Sequence, residues 1–407
     1  MTQKIHPQAD PGGRGVELGR IWGITVTLDW SLLIIFGLIT LGLAAGPLPA
    51  WHPDWGAAMV LVTAASAAAL FIASVLAHEL SHAVVGRRLG IEVKRITLFV
   101  FGGMAHMEEE PRAWRAELAM AIAGPLMSLI LGLTCLYLAG LIAGPIALDP
   151  DDPAAALSQL GPLTTILLWL GPVNLLLAIF NMVPGFPLDG GRVLRALLWG
   201  ATGDLLQATR WAAAAGQAFG WLLIFSGIAM IFGMRVPIFG TGLIAGLWIA
   251  VIGWFLNNAA AMSYQRVFVE EGLHDVAVAQ VMHRDFVEVA ADETVEDFVE
   301  RHLLGHSQRA FPVSIDGFLQ GLVCFEDVRR LPRERRAETR IGEIMTPFER
   351  LQTLAPGARA SDAIGLLATH RFNQLPVVEG RRMVGLVTRE DILKWLALSR
   401  GLTSGRA

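Results

Sequence analysis

Charge is scarce in this chain. Only 17% of its 407 residues are Asp, Glu, Lys or Arg, 54% are hydrophobic, and the mean hydropathy is +0.51. That balance excludes an ordinary soluble protein. Cysteine is scarcer still. The two present, Cys135 and Cys324, fall in different regions, which excludes a disulfide framework and a thiolate metal site. Basic excess is absent as well: 32 Lys and Arg against 36 Asp and Glu give a net charge of -4, so nucleic acid is not an expected partner. The polar, Gly/Pro-containing stretch 1–20 has no apolar core followed by a small-residue cleavage site, so it does not read as a cleavable signal peptide.

The charges that exist are unevenly placed. Residues 21–260 hold few, whereas 261–407 are rich in Arg, Glu and Asp. The expected fold is therefore an α-helical polytopic membrane domain of about six transmembrane helices over 1–260, a linker over 261–276, and an α/β module in two copies, 277–338 and 339–407. The spans are expected at about 31–48, 57–85, 118–143, 160–183, 211–233 and 236–257. Trp30, Trp51, Trp55 and Trp211 stand near their ends, where indoles favour the interface. Basic residues alternate between successive connections. Lys4, Arg14 and Arg20 precede span one, and the loop around His52–Asp54 has no base. Arg87, Arg88, Lys94, Arg95, Arg112 and Arg115 follow span two. Asp149, Asp151 and Asp152 follow span three, and Arg192, Arg195 and Arg210 follow span four. That alternation places the N-terminus and the C-terminal module in the cytosol, with the chain a multi-pass protein of the plasma membrane.

One stretch stands out. Ala57–Ala77 is 21 residues without a charge, and it runs directly into His78-Glu79-Leu80-Ser81-His82. On a helix, His78 and His82 at i and i+4 face the same way and can share one metal ion. Glu79 is rotated off that face, near enough to take a proton from a water at the metal without being a ligand. The donor types suit one catalytic Zn2+. A third ligand is needed. Asp189, in Pro184-Gly185-Phe186-Pro187-Leu188-Asp189-Gly190-Gly191 at the end of span four, is a carboxylate on the same membrane side. The prolines there force irregular backbone, tolerated at that depth only where it is buried or lines a cavity. Between spans two and three, residues 96–107 are rich in β-formers and too short to span as a helix. They predict a hairpin or edge strand whose Gly102, Gly103 and Met104 could pair with an extended substrate backbone.

The two motifs together resemble the site-2 protease family of intramembrane zinc metalloproteases over about 20–260. The resemblance implies His78, His82 and Asp189 as zinc ligands, Glu79 as the catalytic glutamate and Asn181 as the amide that steadies a developing oxyanion. Gly124-Pro125 resembles a Gly-Pro that family members carry in the same span. It also implies regulated intramembrane proteolysis of a single-span membrane protein, and a lipid bilayer as surroundings.

The C-terminal region repeats itself. Phe311-Pro312-Val313 matches Leu375-Pro376-Val377, and Gly321-Leu322-Val323 matches Gly385-Leu386-Val387, each at an offset of 64. Each copy reads strand, helix, strand, strand, helix. This resembles a tandem of cystathionine-β-synthase (CBS) domains, a module that often binds adenine nucleotides and often dimerises. The family's ribose-binding segment is matched by Thr388 and Asp391 in the second copy. In the first, Cys324 replaces the Thr although Asp327 remains. An adenine nucleotide is thus expected at one copy at most. A CBS-regulated transporter or channel is the competing reading, and it would spread polar residues through several spans rather than gather them at the ends of two.

Overall fold

The structure is a computed structural model describing residues 15–100, 102–107, 111, 113–144, 157–237, 239–273, 275–303, 308–369 and 373–403, with the side chains of 104–107, 270, 368–369 and 399–403 outside that set. Lys4, Arg14, Arg112, Asp149, Asp151 and Asp152, used above for orientation, lie outside the described residues. The chain forms two compact units, Met1–Tyr264 and Gln265–Ala407.

Among the described residues six helices are long and apolar enough to cross a membrane. The first span joins α1 (Leu32–Ala45) to a short α2 (Pro47–Trp51). The others are α3 (Ala57–Arg88), α4 (Trp114–Ala143), α5 (Pro162–Asn181), α7 (Leu205–Ile231) and α8 (Leu243–Leu273), with α6 (Asp189–Thr202) between α5 and α7. α3 has no polar stripe until the histidines, and at 1.5 Å per residue it is about 48 Å long, longer than a hydrocarbon core of about 30 Å. Its motif therefore falls near one end of the crossing. α8 continues to Leu273, so most of the stretch expected as a linker over 261–276 is helical.

Small residues let these helices close on one another, as expected where no hydrophobic effect drives apolar helices together in lipid. Gly132 and Gly171 leave no room for a Cβ between α4 and α5, and Gly220 with Gly253 does the same between α7 and α8. α4 contains Pro125, whose missing N–H leaves the Ala121 carbonyl without its usual helical partner.

A four-stranded sheet was not legible in the sequence beyond its second half. β1 (Gly15–Ile21), β2 (Ile24–Asp29), β3 (Val93–Phe99) and β4 (Gly102–Met107) pair in that order, with β2 and β3 parallel and the outer pairs antiparallel. Trp22 and Gly23, both at positive φ, make the turn between β1 and β2. Ile24, Ile96 and Leu98 from the inner strands pack with Ala83 and partly buried Leu76 and Leu80 of α3. The sheet thus covers one face of α3 and leaves β4 at its edge beside the motif.

In the second unit β5 (Ala310–Ile315), β6 (Phe318–Cys324), β8 (Gln374–Glu379) and β9 (Arg382–Thr388) form the order β5-β6-β9-β8, and β7 (Thr346–Pro347) pairs with β6. Each hairpin is offset from its counterpart by the repeat. The leading strand expected in each copy is reduced to a single bridge, Val289 to Val313 and Leu354 to Val377. Pro312 and Pro376 explain this, since neither offers an N–H to extend the ladder. The copies also exchange their leading segments. Val278 and Val281 pack with Leu375, Val377 and Val387, whereas Ile341 packs with Phe311, Val313 and Val323.

Candidate metal centre

Two elements 111 residues apart meet at the end of α3. His78 Nε2 lies 3.0 Å from Asp189 Oδ2, and His82 Nε2 lies 3.2 Å from the same oxygen and 3.2 Å from His78 Nε2. All three residues are shielded, the histidines buried and the Asp189 side chain 14% exposed. Among the described residues this is the one group of three or more His, Cys, Asp or Glu side chains that could hold a metal ion.

The other ring nitrogens are committed. His78 Nδ1 is 2.9 Å from Ser128 Oγ, and His82 Nδ1 is 2.7 Å from the Met120 carbonyl. A carbonyl only accepts, so His82 carries its proton on Nδ1 and turns the lone pair of Nε2 inward. Both partners come from α4. Ala121, next to Met120, is where Pro125 interrupts the helical bonding. Gly124, on the same face, lies beneath the two imidazoles. A Cβ there would stand 2.5 Å from His78 Nε2 and 2.6 Å from His82 Cε1. The absence of a side chain at 124 is what lets the rings approach.

Asp189 is delivered by a compact reversal. α5 ends at Asn181, residues 182–188 turn, and α6 begins at Asp189 itself. Gly190 packs on the backbone of Met182 and Val183, and Gly191 on that of Gly185 and Phe186, with no space for a Cβ at either. The two glycines after Asp189 are therefore required by close backbone packing, which the sequence alone could not distinguish from a flexible turn. Asp189 is the first residue of a helix, not a loop residue.

Glu79 lies under the edge strand. A Cβ at Gly103 would stand 2.6 Å from Glu79 Cδ and 2.9 Å from its Oε1. Gly102 opens β4 at φ 128 and pairs with Phe99, Gly103 pairs with Leu98, and the backbone of Met104 pairs with Thr97. Asn181 Nδ2 donates to the Leu177 carbonyl of its own helix at 3.0 Å.

The donor set suits zinc. Tetrahedral zinc with bonds of about 2.0–2.1 Å separates its donors by roughly 3.3 Å. The three donor atoms here are 3.0–3.2 Å apart, a little tighter than that. Two imidazoles and one carboxylate leave a fourth position open, the composition of a catalytic rather than a structural site.

Several residues of this centre carried no signal in the sequence. Ser128 and the Met120 carbonyl were missed; Ser128 stands four residues past Gly124 and so shares its helical face. Glu117 and Arg195 were missed as a pair. Each is nearly inaccessible, at 1% and 2% exposure, and Arg195 Nε donates to Glu117 Oε1 at 2.6 Å.

In the second unit Asp391 Oδ2 accepts from Thr388 N at 2.9 Å and Thr388 Oγ1 at 2.7 Å, and Asp391 N donates back to Thr388 Oγ1 at 3.1 Å. This is a capping arrangement at the head of the helix Arg389–Thr403. His283, which the sequence did not single out, places Nδ1 2.8 Å from the same Asp391 oxygen. In the first copy Cys324 N and Sγ reach Asp327 Oδ2 at 2.9 and 3.0 Å. Burial, and then the bond to Asp327, push the Cys324 thiol above its usual range.

Residues 66–145 and 139–225 match the model of peptidase family M50, and residues 278–334 and 341–398 match that of the CBS domain. The chain is 36% identical over 388 residues to "Putative zinc metalloprotease Rip3" of Mycobacterium tuberculosis, covering 95% of this chain and 93% of that protein. It is 31% identical to "Putative zinc metalloprotease sll0528" of Synechocystis, covering 94% and 96%. The solved site-2 protease of Methanocaldococcus jannaschii is 26% identical, covers 61% of this chain and 95% of its own, and superposes with a TM-score of 0.39. The chain belongs to the site-2 protease family of M50 zinc metalloproteases, as a multi-pass membrane protein with a C-terminal pair of CBS domains.

Proposed function

We propose that this chain hydrolyses a peptide bond in or near the transmembrane segment of a single-span membrane protein. The observation that carries the reading is the convergence of His78, His82 and Asp189 with Glu79 on the adjoining face of α3. His78, His82 and Asp189 would hold the zinc ion. When bound, zinc lowers the pKa of a coordinated water to about 7 and polarises a carbonyl.

The remaining roles belong to the chain. Glu79 accepts the water's proton and passes it to the leaving amine. β4, the last strand of its sheet among the described residues, binds an unwound substrate segment in extended form and holds the scissile bond against Glu79. Gly102, Gly103 and Met104 are the contact residues in this reading. Unwinding is needed because a helical peptide bond is engaged in its own hydrogen bonds. Asn181 is proposed to release the Leu177 carbonyl and donate to the oxyanion; one such donor is worth about 3–4 kcal/mol elsewhere.

The proposed layout is a protease domain over 1–260, a linker over 261–276 and CBS copies over 277–338 and 339–407, in the plasma membrane with the N-terminus and CBS copies cytosolic. The CBS pair dimerises the protein and regulates it by binding an adenine nucleotide at Thr388 and Asp391, where the ribose hydroxyls displace His283 from Asp391.

Reconstitution in lipid vesicles with a labelled single-span protein tests the central reading. The parent enzyme releases two fragments, and Glu79→Gln releases none while keeping its zinc. Cleavage by the Glu79→Gln protein would remove Glu79 from the mechanism. A thermal-shift series with AMP, ATP and S-adenosylmethionine tests regulation, and no shift with any of them would end that part of the reading.

A further inference from the structure

We propose that Glu117 is a positioning residue for the metal centre, acting through Arg195 to set the reach of Asp189. The inference rests on the zinc-site reading above, which makes Asp189 a ligand.

Glu117 lies in the first turn of α4, and Arg195 lies two turns into α6. Arg195 Nε donates to Glu117 Oε1 at 2.6 Å, and its Nη2 reaches the same oxygen. Arg192 is more distant, with Nε 4.0 Å from that oxygen and its side chain 20% exposed. The Arg195 guanidinium also lies over the Phe186 ring, 5.3 Å from its centroid, within the turn that leads to Asp189.

The geometry is that of a two-point ruler. Along α4 the positions 117, 120, 124 and 128 recur at helical spacing, so Glu117, the Met120 carbonyl, Gly124 and Ser128 share one face. The lower three hold or make room for the histidines. α6 lies along the same region with its first residue at the metal centre and Arg195 at Glu117. From Glu117 to Gly124 is about 10.5 Å of helix rise, and from Arg195 back to Asp189 about 9 Å. The two helices thus run antiparallel and are tied at both ends of nearly equal lengths. One tie is the ion pair; the other is indirect, through the α3 imidazoles that α4 orients and that Asp189 meets.

A buried ion pair is a poor way to gain stability, because apolar residues of the same volume usually do as well or better. Its attested use is to fix register. Two guanidinium N–H groups converging on one buried carboxylate oxygen admit few orientations. Here the pair fixes how far α6 slides along α4, and hence where the Asp189 carboxylate falls relative to two imidazoles that α4 itself orients. Partners outside the ligand set, when removed, commonly weaken a site about 10- to 100-fold in metal affinity.

The test measures zinc affinity by chelator competition and thermal stability of the metal-free protein, using the full chain in detergent or lipid. Three variants are compared with the parent: Glu117→Gln, the apolar pair Glu117→Leu with Arg195→Met, and Asp189→Ala. The expected result is a loss of at least about tenfold in zinc affinity for Glu117→Gln. The apolar pair, which leaves no lone buried charge, regains apo stability but not zinc affinity. A merely structural ion pair would predict the opposite, with zinc affinity returning alongside stability, and that result overturns the proposal. Failure of the apolar pair to fold also overturns it, by making the pair a requirement of the fold. Parent-like zinc binding by Asp189→Ala would overturn the ligand reading instead, so the two failures are distinguishable.

Discussion

Replacing Gly124 with alanine tests the packing of the metal centre with the smallest possible perturbation. The added methyl would lie 2.5 Å from His78 Nε2 and 2.6 Å from His82 Cε1. Non-bonded heavy atoms settle at about 3.5–4.0 Å, so each ring would have to retreat by roughly 1 Å. Both rings are also tied from behind, to Ser128 and to Met120, so retreat breaks those bonds as well. Functional groups must be held within about 0.5 Å of their working geometry, and misplacement by about 1 Å lowers activity on the order of 100-fold. The expected loss of zinc affinity is thus about 100-fold, or roughly 2.7 kcal/mol. Gly140→Ala is the control. It lies on the same helix, a Cβ there meets no atom within 4 Å, and glycine to alanine in a helix is otherwise favourable by about 1 kcal/mol. Chelator competition on both variants reads the difference. A Gly124→Ala protein that binds zinc within about threefold of Gly140→Ala would refute the arrangement of His78, His82 and α4.

Three further outcomes follow from the geometry. Gly103→Ala drives a methyl against the Glu79 carboxylate; cleavage in vesicles should fall about 100-fold while zinc content stays at the parent level. Thr388→Ala removes a helix cap and should lower the stability of the C-terminal unit by about 1 kcal/mol in denaturant titration, whereas Cys324→Ala should lower it less. Because burial holds the Cys324 thiol pKa high, the thiolate fraction at pH 7.5 is small, and alkylation of Cys324 should be slower than that of a free thiol and speed up as pH rises above 9.

The parts of this protein that were legible in its sequence are those set by periodicity and by chemistry of fixed spacing. Charge-free runs gave the spans, because a bilayer imposes a length. The offset of 64 gave two like hairpins, because β5 and β6 recur as β8 and β9. HExxH gave two ligands, because i and i+4 share a face. What could not be read depends on contacts between distant segments. β1 falls in the stretch 1–20 that read only as polar and Gly/Pro-containing, and with nearly every residue exposed it carries no buried alternation to mark a strand. The Gly190-Gly191 pair looked like turn chemistry, although tight backbone packing is what demands it. Glu117 and Arg195 are 78 residues apart, and nothing local marks them as partners. Asn181 has the right chemistry by resemblance, yet its amide is bound within its own helix.

The central claim is that one zinc ion is held jointly by α3 and by the first residue of α6. Metal analysis of purified protein, with X-ray absorption at the zinc edge, measures it directly. The account predicts one zinc per chain bound through two imidazole nitrogens and a carboxylate oxygen, and loss of that zinc in Asp189→Ala. A full complement of zinc in Asp189→Ala, with an unchanged absorption spectrum, would contradict it.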